Sequence, residues 1–247
     1  MKTFWENAVI FEYDKKALDR LEKIYELYAR VMEERGCSER AACAEGCASC
    51  CTCNVTLTSL EAAFLADRLD QPGRERAAGN LAARFPEKRY TPLLTTNGFA
   101  QACMSGKEVP EEENDPSWGE CPLLEDGLCT VYPYRPFGCR AMVSETLCSK
   151  AGYARMPPRV LTLNNIFLQS IEHMDIGGVT GNLSDLLPLF LDLKKLDKDD
   201  SDRKKKLPEK LKTQGKILRN SKIPVLMVPP EHREMAGPVI RQITALT

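Results

Sequence analysis

Between residues 14 and 35, apolar side chains recur at alternating intervals of three and four: Leu18, Leu21, Tyr25, Tyr28 and Met32. This spacing predicts an amphipathic helix with Asp14 as its N-cap and Gly36 as its stop. Its apolar stripe is expected to pack on the protein's own core. Further along, NVTLT predicts a short strand, and Thr58 with Glu61 forms a capping box for TSLEAAFLADRLD. The tripeptide QPG at 71–73 is expected to break that helix, which resumes in RERAAGNLAARF. Residues 86–120 lack periodicity and are expected to be irregular, with EVPEEENDP as an acidic surface loop.

A short strand is expected around residues 128–132. Pro157 and Pro158 then open a helix that carries Val160, Leu163, Phe167, Ile171 and Met174 on one face. Ser184 is the expected cap of SDLLPLFLDL, with Pro188 in its first turn. GGVTG at 177–181 follows a helix and not a strand, so it reads as a plain loop and not a phosphate cradle. The pattern as a whole predicts a mainly α fold with at most a few short strands and an irregular, cysteine-rich middle.

Composition narrows the function classes. A net charge of −1 gives no overall pull toward nucleic acid or membrane. Trp5, Glu6, Asn7 and Glu12 interrupt the apolar run a signal peptide needs, and there is no span of about 18 apolar residues that would cross a bilayer. A cytoplasmic location is therefore expected, with neither membrane nor nucleic acid as a partner. Composition shifts over 197–215, where acidic and basic residues crowd out apolar ones, as in a charged flexible linker. The tail, 216–247, contains a short apolar run expected to dock back as a strand.

The chain has 11 cysteines and only 2 histidines. An odd count and a reducing compartment both argue against a disulfide framework. Thiolates are soft ligands that suit zinc, copper(I) and iron–sulfur clusters. The first set is Cys43, Cys47, Cys50 and Cys51, and the second is Cys121, Cys129, Cys139 and Cys148. Adjacent cysteines such as Cys50 and Cys51 serve one zinc poorly, so eight thiols imply a cluster or two metals. His173 and His232 lie far from these segments, which leaves a site mostly of sulfur. The spacing of Cys43, Cys47 and Cys50 also matches that of radical S-adenosylmethionine enzymes. Ser49, however, stands where those enzymes carry an aromatic residue, and their repeated strand–helix units are missing.

The second segment reads CPLL, then Cys129, Val131-Tyr132, Arg135-Pro136 and Cys139-Arg140, after a first cluster ending in Cys50-Cys51. This resembles the YkgJ-type cysteine-cluster family, the CxxCxxCC putative zinc- or iron-chelating domain, over residues 40–150. The three residues between Cys43 and Cys47 depart from that family's spacing of two. The resemblance implies metal chelation by the eight cysteines, as an iron–sulfur centre of 4Fe-4S type, or alternatively as a structural zinc module that organises a partner-binding surface. One branch of the family includes a flagellin lysine N-methylase, so a third expectation is an S-adenosylmethionine-dependent, methylase-like enzyme acting on a protein substrate. The chain is then organised as a metal-binding domain over 1–196, followed by the linker and tail.

Arg135 and Arg140 bracket Cys139 and are expected to tune a cluster by donating hydrogen bonds to sulfur. Trp118, Tyr132, Tyr134 and Phe137 are expected to wall it from water, and Pro122 and Pro136 to preset the turns. Cys37, Cys53 and Cys103 stand outside the pattern, with Cys53 near enough to join it.

Overall fold

The structure is a computed structural model and describes residues 13–37, 41–195 and 217–247. The expected linker at 197–215 lies outside them. The first helix, α1 (Lys15–Glu34), begins where the apolar pattern predicts it, with the Asp14 side chain accepting the Ala17 amide hydrogen. Leu18, Leu21, Tyr25, Tyr28 and Met32 are all buried. Strand β1 (Thr56–Thr58) runs straight into α2 (Ser59–Arg68), and the Thr58–Glu61 capping box is complete.

Helix α3 (Gln71–Ala83) corrects the expected break at 71–73. The break falls at Leu69 and Asp70, because Asp70 caps the new helix through the Gly73 amide and Pro72 occupies its first turn. A proline costs nothing there, since the amide it lacks has no helical partner. Helix α4 (Thr96–Met104) lies in the region expected to be irregular. It is short, contains Gly98, and is held by polar contacts instead of an apolar stripe. The Asn97 amide donates to Glu172 Oε2 at 2.7 Å, and Asn97 Nδ2 donates to the Gln169 carbonyl at 3.1 Å.

The middle of the chain holds a hairpin of β2 (Leu124–Glu125) and β3 (Leu128–Cys129). Asp126 and Gly127 both have positive φ, as a two-residue hairpin turn requires. The strand expected at 128–132 is thus shorter, and Tyr132–Tyr134 forms a 3-10 turn. Two short helices follow, α5 (Phe137–Ala141) and α6 (Cys148–Ala151). Next comes α7 (Pro158–Met174), which starts at the paired prolines and buries Val160, Leu163, Phe167 and Ile171.

GGVTG is not a plain loop. Residues Val179–Asn182 form β4, the centre of an antiparallel sheet ordered β1–β4–β5, with β5 at Leu218–Arg219. Gly178 leads into it because a Cβ there would overlap the side chains of Asp175 and Ser59. Helix α8 (Leu183–Lys195) then starts two residues earlier than a Ser184 cap implies. The Leu183 amide donates to the Val55 carbonyl at 2.8 Å, and Asn182 Oδ1 accepts the Ser184 amide hydrogen at 2.9 Å. Asn182 therefore takes the capping role expected of Ser184, and Pro188 sits inside the helix and not in its first turn. The tail contributes β5 at its start, but its apolar run at 223–228 forms no strand, and α9 (Arg233–Leu246) is a helix absent from the sequence reading.

The fold is mainly α, with a few short strands among the described residues. No described helix is long and apolar enough to cross a membrane. The core is a run of aromatic contacts. Tyr28 meets Phe137 edge-on at 4.8 Å and Phe167 at 5.1 Å, and Phe137 stacks on Phe167 at 5.7 Å. Phe137 is fully buried, two residues before Cys139. The second cysteine segment is therefore anchored directly into the core.

Candidate metal centre

The first cysteine segment is a string of tight turns between α1 and β1. The Cys47 amide donates to the Ala44 carbonyl at 3.0 Å and the Cys51 amide to the Ala48 carbonyl at 2.9 Å. This loop is bonded to the second segment on both sides of Thr52 and Glu120. The Cys53 amide donates to the Gly119 carbonyl and the Cys121 amide to the Cys51 carbonyl, each at 2.9 Å. The β2–β3 hairpin then folds Cys129 opposite Leu124, and the Leu124 amide turns back onto the Cys121 carbonyl at 3.0 Å. A separate bond, Ala42 amide to Ser144 carbonyl at 2.7 Å, draws the Cys43 end to the loop that leads to Cys148.

The eight expected cysteines are thereby brought into one region. Their thiols feel one another's charge. Burial pushes the Cys121 thiol up to about 11, with Cys129 and Cys53 adding to the rise. Burial also raises Cys139, helped by Cys121, Cys129 and Cys50 and opposed by Arg135. Cys43 is raised by burial and by Cys47, Cys148 and Cys50, while a Ser144 amide hydrogen bond lowers it. The thiols of Cys50 and Cys51 are hydrogen-bonded to each other. Their mutual hydrogen bond lowers the first and raises the second.

This donor set fits a soft cation. Thiolates crowded together oppose one another's ionisation until a positive ion replaces the protons. The set is not preassembled: no three His, Cys, Asp or Glu side chains among the described residues are already grouped to hold a metal ion. The backbone brings the two segments together.

The two arginines differ. Arg135 lies over Tyr132, 3.8 Å from the ring centre, and its charge bears on Cys50, Cys129 and Cys139. Arg140 is occupied elsewhere. Its Nε donates to the Arg135 carbonyl at 2.9 Å, an Nη donates to the Pro133 carbonyl at 2.6 Å, and its guanidinium caps the Tyr25 ring. It shapes the turn that carries Cys139, and its charge also interacts with that thiol, whereas Arg135, which donates to the Tyr132 carbonyl at 2.9 Å, bears on three thiols. Phe137 belongs to the core and not to a wall, whereas Trp118 is half-buried under Lys88.

Three positioning residues were not legible as such. Glu61, buried in α2, accepts the Phe137 amide hydrogen at 2.7 Å, the Tyr25 hydroxyl at 3.0 Å and the Thr58 amide at 2.8 Å. It fixes the first turn of α5, which bears Cys139. Arg84 donates to the carbonyls of Pro122 and Leu124 and so holds the CPLL turn from behind. Ser144 Oγ accepts the Arg155 amide at 2.9 Å, closing the loop that contains Cys148. Only the Glu61 capping box had a local signal; the other roles depend on residues distant in sequence.

Cys53 is buried beside Gly119, its thiol directed at the Lys88 carbonyl at 3.4 Å. Cys37 lies in the core and Cys103 is exposed on α4. His173 accepts the Ile223 amide and His232 bonds Thr162, both away from the cysteine segments. No family model, no curated protein and no solved structure matches this chain.

Proposed function

We propose that this chain is a metal-binding protein whose two cysteine segments hold a sulfur-ligated centre, iron–sulfur in type. The observation that carries the reading is the pair of backbone bonds across Thr52 and Glu120, which joins thiol-rich segments far apart in sequence. Between the two segments the chain folds as β1, α2, α3 and α4, so the junction presents thiols from both segments on one packed scaffold. Eight thiols exceed what one tetrahedral ion takes, and no histidine lies among them. Arg135 adds a positive charge suited to the net negative charge of a thiolate-bound cluster. The likeness of CPLL to Cys139-Arg140 to the YkgJ-type family points the same way, and a reducing compartment such as the cytoplasm would keep the thiols free. Bound there, a cluster supplies one-electron chemistry or mechanical cross-linking.

The test is purification without oxygen, followed by iron, zinc and acid-labile sulfide analysis with a visible spectrum. A brown protein with iron and sulfide in similar amounts is the expected result. Colourless protein that carries only zinc after iron-replete expression overturns the iron–sulfur assignment and leaves a zinc module. Protein free of both metals overturns metal binding itself.

A further inference from the structure

We propose that α4 and α7 form a surface that reads an extended peptide by its backbone. Residues 221–227 of this chain occupy it, and an extended segment of a protein partner takes their place. The partner segment carries a serine or threonine followed by apolar residues. This interaction is independent of metal.

The surface is built from four side chains. Gln169, Glu172 and His173 recur at helical spacing along α7, and Asn97 joins them from α4. All four bond to the tail. Glu172 Oε1 accepts the Ser221 amide hydrogen at 2.9 Å and the Ser221 hydroxyl at 3.2 Å. Asn97 Nδ2 donates to the Ser221 carbonyl at 3.0 Å. His173 Nδ1 accepts the Ile223 amide hydrogen at 3.3 Å. Gln169 Nε2 donates to the Val225 carbonyl at 2.8 Å, and Gln169 Oε1 accepts the Met227 amide hydrogen at 2.9 Å. Alternate residues thus turn their backbone groups toward the helices, the period of an extended chain. Pro224, which lacks an amide hydrogen, falls between the bonded positions.

Apart from the Ser221 hydroxyl, these bonds go to main chain, so other extended segments in the same register satisfy them equally. The tail's own apolar side chains are weakly engaged. Ile223, Leu226 and Met227 are half-buried, and Val225 is 43% exposed. The bonding groups are preorganised without the tail. The Asn97 amide donates to Glu172 Oε2 at 2.7 Å, and Gln169 Nε2 donates to Asn97 Oδ1 at 3.1 Å. They are also polar, so water satisfies them when the tail lifts. Firm anchors lie only at the two ends of the segment. Asn220 Nδ2 donates to Asp175 at 2.8 Å behind β5, and α9 buries Ala236, Val239 and Ile243. Residues 221–227 can therefore leave the surface while both ends stay docked.

A fluorescent peptide of sequence NSKIPVLM, residues 220–227, tests the proposal with the full chain. The tethered tail competes at high effective concentration, so the unaltered chain is expected to bind the peptide weakly. Ser221→Pro/Met227→Pro removes two bonded amides from the tail and leaves the surface unchanged. This variant is expected to bind the peptide about tenfold more tightly or better. Peptide N-methylated at the positions of Ile223 and Met227 is expected to lose that binding, and peptide N-methylated at the Lys222 position to keep it. No binding to the folded double variant overturns the proposal, as does binding that survives N-methylation at Ile223 and Met227. Where the double variant does not fold, hydrogen exchange of the unaltered chain decides. Excess peptide is expected to speed exchange across 221–227 while α9 stays protected, and unchanged exchange overturns the proposal.

Discussion

The carbonyl of Cys51 accepts the amide hydrogen of Cys121 at 2.9 Å, and Gly119 completes the same bridge by accepting from Cys53. Gly119 adopts φ 148° and ψ 168°, a region open essentially to glycine alone. Gly119→Ala should strain this bridge by about 1–3 kcal/mol while leaving every thiol in place. The expected result is a lower melting temperature together with weaker metal retention, read by thermal melts and by competition with a chelator. Unchanged metal retention in a folded variant would show that the bridge does not position the thiols.

Glu61 offers a second test, because its two oxygens face only donors. Gln in its place turns an NH2 group toward either the Phe137 amide or the Thr58 amide. A buried donor left without an acceptor costs about 1–3 kcal/mol. Urea denaturation of Glu61→Gln should show a loss in that range, with the apo protein affected as much as the loaded one, since the contact does not involve metal.

Metal removal should itself be destabilising. The irregular stretch between α4 and α7 has little regular secondary structure of its own, and several of its thiols are held by neighbours they repel. Metal binding energy there becomes folding energy. Chelation without oxygen is expected to lower the melting temperature and expose the 121–148 segment to protease. Native melting temperature in apo protein would sink this expectation.

The long amphipathic helices were legible in the chain because burial follows a 3.6-residue period. Leu18 to Met32 and Val160 to Ile171 show it plainly. Helix α4 and strand β4 were not, for the same physical reason: their stability is tertiary. Asn97 is held by Glu172 and Gln169, and Gly178 fits only because Asp175 and Ser59 crowd it. The cysteine segments were legible as a chemical set, yet the way they meet was not. It depends on the Ala42–Ser144 and Cys51–Cys121 bonds, which no local pattern encodes. The roles of Arg135 and Arg140, equivalent by spacing, separate only once Arg140 is seen bound to two carbonyls and Tyr25.

That separation predicts different outcomes for the two arginines. Arg135→Gln removes a positive charge that bears on Cys50, Cys129 and Cys139 together. An anionic cluster becomes harder to reduce when a nearby cation is lost, so voltammetry of the iron-loaded protein should show a more negative potential. Arg140→Gln should instead lower stability with a smaller change in potential. Equal shifts in both variants would contradict the assignment.

Asp175 gives a prediction about pH that is independent of metal. Its carboxylate accepts from the Tyr13 hydroxyl, from Ser59 Oγ at 2.7 Å, from the Leu60 amide at 3.1 Å and from Asn220 Nδ2 at 2.8 Å. It thus ties the entry of α1 to α2, α7 and the β5 segment. Burial raises its pKa from 3.8 to about 6 despite those donors, and the charge of Glu61 adds to the rise. The folded state therefore binds this proton more tightly than the unfolded chain. The corresponding stabilisation is present in full below pH 3.8 and is lost as pH rises through about 6. A shift of this size corresponds to on the order of 3 kcal/mol. Asp175→Asn keeps an oxygen for the Leu60 amide and Asn220, and its NH2 group can donate to the Tyr13 oxygen. The variant should flatten the decline in stability between pH 4 and 6.5 (about two units around the raised pKa) and should be no less stable than wild type at neutral pH. Urea midpoints measured across that interval decide it. A wild-type decline that persists unchanged in Asp175→Asn would assign the titration to another group.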